Sequence, residues 1–300
     1  MAEKIEFEND FVPPKRKLYF RVLKRLMKGR YKEPTYVYLG DRIRNSSIIL
    51  SNHEGTDAPM SLEMYLKRPV RMWGTGEMNS GLVKLYKYQT RVYYHEKKHW
   101  NLFLARMFCL LASPLTNMFY SGFDLISTYH DIRFVKTLRE SVAEIEKGTN
   151  IVIFPEVSNE GYKPQLDGFH EGFLVLADAC RKKGIDLPIY VSYFRKSDGL
   201  YIVDAPVMYS ELTRNGATRA DIARRLCNRC NEIGRMEFDE ATLARMRAGG
   251  DHAVPTVTLT PEQFGEKLIS DTKKNKKAAS DANGDDEATR AEKKAAKKVS

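Results

Sequence analysis

The chain has 300 residues, 42% of them hydrophobic and 11% aromatic, with a formal net charge of +10; this is enough for one large domain or two small ones around a sizeable core. The charge is uneven. Lys15–Lys32 holds nine Lys/Arg and no acid, residues 265–300 hold ten Lys/Arg against seven Asp/Glu, and residues 33–264 are nearly neutral, which excludes a broad nucleic-acid-binding face.

The N-terminus, MAEKIEFEND, is acidic and polar and does not read as a secretory leader. Four cysteines in this length do not read as a disulfide framework, so the cytoplasm is the expected compartment. Residues 1–35 form a first segment. Within it Leu18, Val22 and Leu26 recur at i, i+4 and i+8, with Tyr19, Leu23 and Met27 beside them. Lys17, Arg21, Lys24, Arg25 and Lys28 flank the stripe. Such a basic amphipathic helix can lie in an anionic membrane interface or pack its stripe on the protein's own core; both remain open.

Residues 36–264 form the expected body. Strands are expected at Tyr36–Leu39, Ser47–Leu50, Val70–Trp73, Ile151–Phe154, Ile189–Phe194 and Tyr201–Val203. Leu102–Phe123 is the nearest approach to a membrane span, but Arg106 and Pro114 interrupt it. Helices are expected over Ile132–Lys147, stopped by Gly148, over Gly172–Lys183, stopped by Gly184, and over Arg219–Ile233, with Thr218 as N-cap. The alternation predicts an α/β fold with a mixed, largely parallel sheet flanked by helices. From about Lys273 the chain is charged and has no aromatic residue, so residues 265–300 are expected to be a disordered tail.

In such sheets ligands sit beyond the carboxyl ends of the strands. Asn52-His53, with Asp57 four residues after the histidine, follows one expected strand, and Phe154-Pro155-Glu156 ends another. A histidine there can take a proton from a hydroxyl, and a nearby carboxylate can orient it.

Other motifs carry rival chemistry. His95-Glu96-Lys97-Lys98-His99 fits the H-E-x-x-H zinc pattern, but its two lysines would repel a dication and no third ligand follows nearby, so no metal is expected. Cys227 and Cys230 fall inside an expected helix without a second pair. Gly74-Thr75-Gly76 lacks the third glycine of a dinucleotide loop, and no G-x-S-x-G is present.

Four blocks in order resemble the glycerolipid acyltransferase family, of the lysophosphatidate acyltransferase type. They are Asn52-His53 with Asp57, the stretch Gly122 to Asp131, Phe154-Pro155-Glu156 with its continuation from Phe169 to Ala177, and Leu187-Pro188-Ile189-Tyr190-Val191. Together they span roughly residues 46–195. The resemblance implies transfer of a fatty acyl group from acyl-CoA or acyl-carrier protein to a hydroxyl of a lysophospholipid such as 1-acylglycerol-3-phosphate, in phospholipid biosynthesis. It implies no cofactor and no covalent enzyme intermediate. By the same resemblance His53 is the general base, Asp57 orients it, and Glu156 shapes the acceptor site. Phe154, Pro155, Ser158, Asn159, His130 and Arg133 fall in the substrate-binding blocks.

The departures are specific. The family's aspartate lies five residues after the histidine, a position held here by Ala58. The arginine of the second block is replaced, with His130 near its place, and Gly-Thr-Arg of the third becomes Val157-Ser158-Asn159. Those arginines grip the acceptor's phosphate in the family; His130, Arg133 and Lys163 are the expected substitutes. The resemblance also implies a peripheral, monotopic protein on the cytoplasmic face of an anionic membrane, with apolar residues of Leu102–Phe123 as an acyl groove or a membrane-dipping surface. A relative that binds lipid without turning it over is the alternative; a zinc hydrolase through His95, Glu96 and His99 ranks below it.

Overall fold

The computed structural model of the protein describes residues 17–157, 161–271 and 273. Its first element is a helix, α1 (Leu18–Met27), followed by β1 (Thr35–Tyr38), β2 (Ile48–Ser51), α2 (Asp57–Tyr65) and β3 (Val70–Thr75). A helical hairpin comes next: α3 (Leu82–Tyr88) runs on as a π-helical stretch, Gln89–Lys97, and returns through α4 (Leu102–Phe123). Then follow β4 (Ile126–Thr128), α5 (Phe134–Glu146), β5 (Asn150–Ile153), α6 (Gly172–Arg181), β6 (Pro188–Arg195), β7 (Leu200–Val203) and β8 (Val207–Met208). The chain ends through α7 (Tyr209–Thr213), α8 (Arg219–Gly234), β9 (Met236–Glu237), α9 (Glu240–Arg247), β10 (Val257–Thr258) and a helix over 261–271.

Eight strands form one sheet in the order β1-β7-β6-β2-β5-β3-β4, with β8 on β6. The run β6-β2-β5-β3-β4 is parallel throughout; β7 and β8 pair antiparallel with β6, and β1 runs parallel to β7. β2 and β5 are buried on both faces, which is why they read as unbroken apolar runs. Alternate residues feed two cores. Ile48, Leu50, Ile151, Ile153, Ile189 and Val191 face α5, α6 and α8, through Val142, Phe173, Ala177 and Leu226. Ile49, Val152, Tyr190 and Phe194 face the other side, with Phe20, Ala58, Leu62 and Phe123 of α1, α2 and α4.

The structure decides two open points and moves one boundary. Pro114 does not stop α4, which runs unbroken for 22 residues; its missing N–H removes one intrahelical bond, and the helix packs through. On α1 the stripe Leu18, Val22 and Leu26 points outward, 73%, 53% and 76% exposed. Phe20 faces inward instead, edge-on to Phe123 at 5.9 Å and tilted on Phe119 at 5.7 Å. The body also continues past residue 264: Phe264 is buried against Tyr193, and Lys267 pairs with Asp198 and Glu237. The remainder of the tail, from 274, and the N-terminal residues 1–16 lie outside the described residues.

α4 is long and apolar enough to cross a membrane, and only 17% of its most apolar 18-residue window is buried. Phe103, Leu104, Leu110, Leu111 and Leu115 are exposed, while Ala105, Cys109 and Ser113 face inward.

Candidate active site

The parallel strands β2, β5, β3 and β4 end side by side, and their last residues open on one cavity of ≈ 680 Å³. β2 delivers His53. Its orientation begins with Asn52, whose Nδ2 donates to the Phe194 carbonyl at 2.9 Å while its Oδ1 accepts from the Phe194 N–H at 2.7 Å. The side chain thus acts as one more rung of the β2–β6 ladder and turns the following residue into the cleft. Ser51 Oγ, 2.7 Å from the Tyr201 hydroxyl, holds the rung before it. The His53 ring lies between two aromatic rings, stacked on Tyr162 at 4.6 Å and tilted against Phe154 at 5.0 Å.

After His53 the chain reverses through Glu54 and Gly55, both at positive φ (40° and 66°), a conformation glycine adopts without steric cost. The reversal makes Asp57 the first residue of α2, where a carboxylate complements the helix dipole. Asp57 is not hydrogen-bonded to His53 among the described residues. Its Oδ2 accepts from Lys196 Nζ at 2.7 Å and its Oδ1 from Arg30 at 3.4 Å. The expected histidine–aspartate pair is therefore not formed in this conformation: with one residue fewer between them, helix entry carries the carboxylate to the end of β6, where Lys196 follows Arg195.

β5 delivers Phe154 and Pro155 to the cavity wall and Glu156 just behind it. The segment is clamped by the chain entering α6: Glu156 bridges Phe169, Val157 N–H donates to Gly168 at 2.9 Å, and His170 N–H donates to Pro155 at 2.7 Å. Glu156 is 7% exposed. Burial pushes its carboxyl up to about 7, opposed by a hydrogen bond from the His53 backbone N–H and assisted by nearby Glu54. Glu54 is raised as well, by burial first, with Lys196 acting against and Asp57 with the shift.

β4 delivers Tyr129, His130 and Asp131. Arg133, expected as a phosphate ligand, is held by Asp131: Nε lies 3.0 Å from both carboxylate oxygens and Nη2 2.7 Å from Oδ2. Its guanidinium also lies 4.3 Å from the Tyr129 ring centre. These hydrogen bonds hold the Asp131 carboxyl below the usual carboxylate range. Lys163, the other expected substitute, pairs with Asp167 at 2.9 Å. Ser158 and Asn159 lie outside the described residues. β3 and the hairpin complete the walls with Trp73, Tyr88, Phe119 and Tyr120.

The site thus unites His53, Phe154, Pro155 and His130, sets Glu156 and Arg133 at its edge, and turns Asp57 away. Tyr162 and Trp73 also line the cavity and were not picked out from the sequence, where Trp73 reads only as a strand residue; Lys196 lies outside the wall and touches the site through Asp57.

The rival motifs disperse. His95 lies in the π-helical stretch, where i and i+4 no longer share a face, and its Nδ1 is 2.8 Å from the Trp100 carbonyl. Among the described residues no group of three or more His, Cys, Asp and Glu is placed to hold a metal. Cys227 and Cys230 are buried in α8, and burial pushes the Cys227 thiol up to about 11.

No protein-family model matches the chain, and no curated protein matches it.

Proposed function

We propose that the protein is an O-acyltransferase that moves a fatty acyl group from acyl-CoA or acyl-carrier protein to a lysophospholipid hydroxyl at a membrane surface. The observation that carries this reading is His53 at the carboxyl end of β2, facing an aromatic-walled cavity of ≈ 680 Å³. The four sequence blocks with acyltransferase resemblance supply the prior. In the proposed reaction His53 takes the acceptor's hydroxyl proton while that oxygen bonds to the thioester carbonyl carbon. The tetrahedral species collapses with cleavage of the carbon–sulfur bond, and the imidazolium returns the proton to the leaving thiolate. Phe154, Pro155 and His130 line the acceptor's side. Glu156, buried beside the turn that carries His53, shapes the acceptor's side from behind the wall.

Membrane attachment belongs to the same proposal. Leu111 of α4 is 81% exposed and Leu104 60%, and α1 beside it carries exposed Leu18, Val22 and Leu26 among Lys17, Arg21, Arg25 and Lys28. Apolar side chains ringed by cations suit the headgroup boundary of an anionic leaflet, on the cytoplasmic face. The attachment is read as monotopic because Ala105, Cys109 and Ser113 pack back on the molecule, with Ser113 donating to Gln89.

One observation favours the lipid-binding alternative: Asp57 is held by Lys196 and Arg30 rather than by His53. Thiol release from long-chain acyl-CoA, with lipid products resolved by mass spectrometry, decides between them. Transfer by the wild type, lowered about 10²–10⁴-fold in His53→Ala, is the expected result. Wild-type protein that binds lysolipid yet transfers nothing, from acyl-CoA or from acyl-carrier protein, would establish the alternative.

A further inference from the structure

We infer that the acceptor held in this cleft has a headgroup without net negative charge: a single-chain lipid alcohol with an uncharged or zwitterionic head, and not a phosphate monoester. The inference rests on the acyl-transfer reading and names the acceptor class for it.

A phosphate monoester carries about −1.5 to −2 charges near neutral pH and is held by guanidinium, ammonium or free backbone N–H groups. Among the described residues the cleft offers none of the first two, since no Lys or Arg lines it. Residues 158–160, which follow Glu156 and Val157, are Ser-Asn-Glu. The basic groups at its edge already hold acids. Arg133 grips Asp131 through both oxygens, and Lys196 and Arg30 share Asp57.

The helix N-termini that open on this cleft carry acids close by. Three helices begin at it, with Thr56, Phe134 and Gly172 in its wall, and each has an acid in or next to its first turn. Asp57 opens α2. Asp131 Oδ1 accepts the Arg133 backbone N–H at 2.8 Å before α5. Glu171 is the N-cap residue of α6. A dianion placed there would face Asp131 and Glu171, both in the cavity wall. By contrast, the wall carboxylates of Asp131 and Glu171 attract an ammonium head, and an uncharged head meets no repulsion from them.

The test offers the full-length protein oleoyl-CoA with four acceptors of one chain length: lysophosphatidate, lysophosphatidylcholine, lysophosphatidylethanolamine and monoacylglycerol. The expected result is a kcat/KM for the best uncharged or zwitterionic acceptor at least about tenfold above that for lysophosphatidate. Preference for lysophosphatidate would overturn the inference and leave acyl transfer standing. A second readout needs no turnover. In Trp100→Phe, Trp73 is the remaining tryptophan of the two, and it lines the cavity. Its fluorescence is titrated with the same lipids, and the same tenfold order is expected in Kd. Tighter lysophosphatidate binding, or saturable binding of none of the four, overturns the inference. Selective binding of the other lipids with no transfer to any acceptor would sink the acyl-transfer reading alone. Asp131→Asn releases Arg133, and the ratio should then shift about tenfold toward lysophosphatidate; an unchanged ratio would contradict the role given to Asp131.

Discussion

Lys196 Nζ lies 2.7 Å from Asp57 Oδ2, joining the end of β6 to the first turn of α2 across 139 residues of sequence. The contact removes the aspartate from the histidine that the sequence pairs with it. Asp57 is 11% exposed at its side chain and Lys196 51%, so solvent screens the pair in part. A double-mutant cycle of Asp57→Asn and Lys196→Met, followed by urea unfolding, should give a coupling of about 1 kcal/mol. Strict additivity would mean that the two charges do not stabilise each other.

Glu156 makes stability depend on pH with a sign opposite to that of most carboxylates. Its folded pKa of about 7 lies above the ordinary value of 4.5, so the folded chain binds the proton more tightly than the unfolded one. The contribution is therefore complete below about pH 4.5 and is lost as pH rises through 7. The difference amounts to up to about 3 kcal/mol. Glu156→Gln keeps an oxygen for the His53 N–H and removes the titration. Its stability relative to wild type should rise between pH 5 and pH 8. A constant difference over that range would show that the carboxyl titrates normally.

The outer faces of α1 and α4 should carry membrane binding without carrying stability. Leu104→Glu with Leu111→Glu changes two exposed side chains, so the melting temperature should stay close to that of wild type. Co-sedimentation with vesicles containing an anionic phospholipid should be lost. Arg21→Glu with Arg25→Glu should weaken it by about 1 kcal/mol per removed cation or more, and only on anionic vesicles. Undiminished sedimentation of the leucine variant would place the membrane contact elsewhere.

Gly122 is where α4 and α1 meet. A Cβ there would sit 2.3 Å from Phe20 Cδ2 and 2.5 Å from its Cγ. Gly122→Ala should cost about 1–3 kcal/mol and free α1 to protease; Gly122→Ala with Phe20→Ala should recover part of the α1 packing. A Gly122→Ala variant as stable as wild type would show that Phe20 repacks without strain.

Much of the α/β frame was legible because its signals are local. Ile48–Leu50 and Ile151–Ile153 read as strands buried on two faces, and the helix beginning after Thr218 was marked by a cap that indeed accepts the Asp221 N–H. β4, β8, β9 and β10 were not anticipated; at two or three residues they have no period to read and exist only because a neighbour pairs with them. Pro114 interrupts the apolar run in the sequence without ending the helix, which continues through it to Phe123.

By itself the sequence determined the strand–helix alternation, the placing of His53 and Glu156 at strand ends, and the basic character of the first helix, since period, capping and charge are properties of neighbours in the chain. Only the tertiary structure decided the partners of those groups. Asp57 meets Lys196 and Arg30, Arg133 is taken up by Asp131 and Tyr129, Tyr162 covers His53, and Phe20 rather than Leu18 faces inward. Whether a charge is available to a ligand depends on what else lies within a few ångströms of it, and that distance is set by the packing of the whole sheet and its helices.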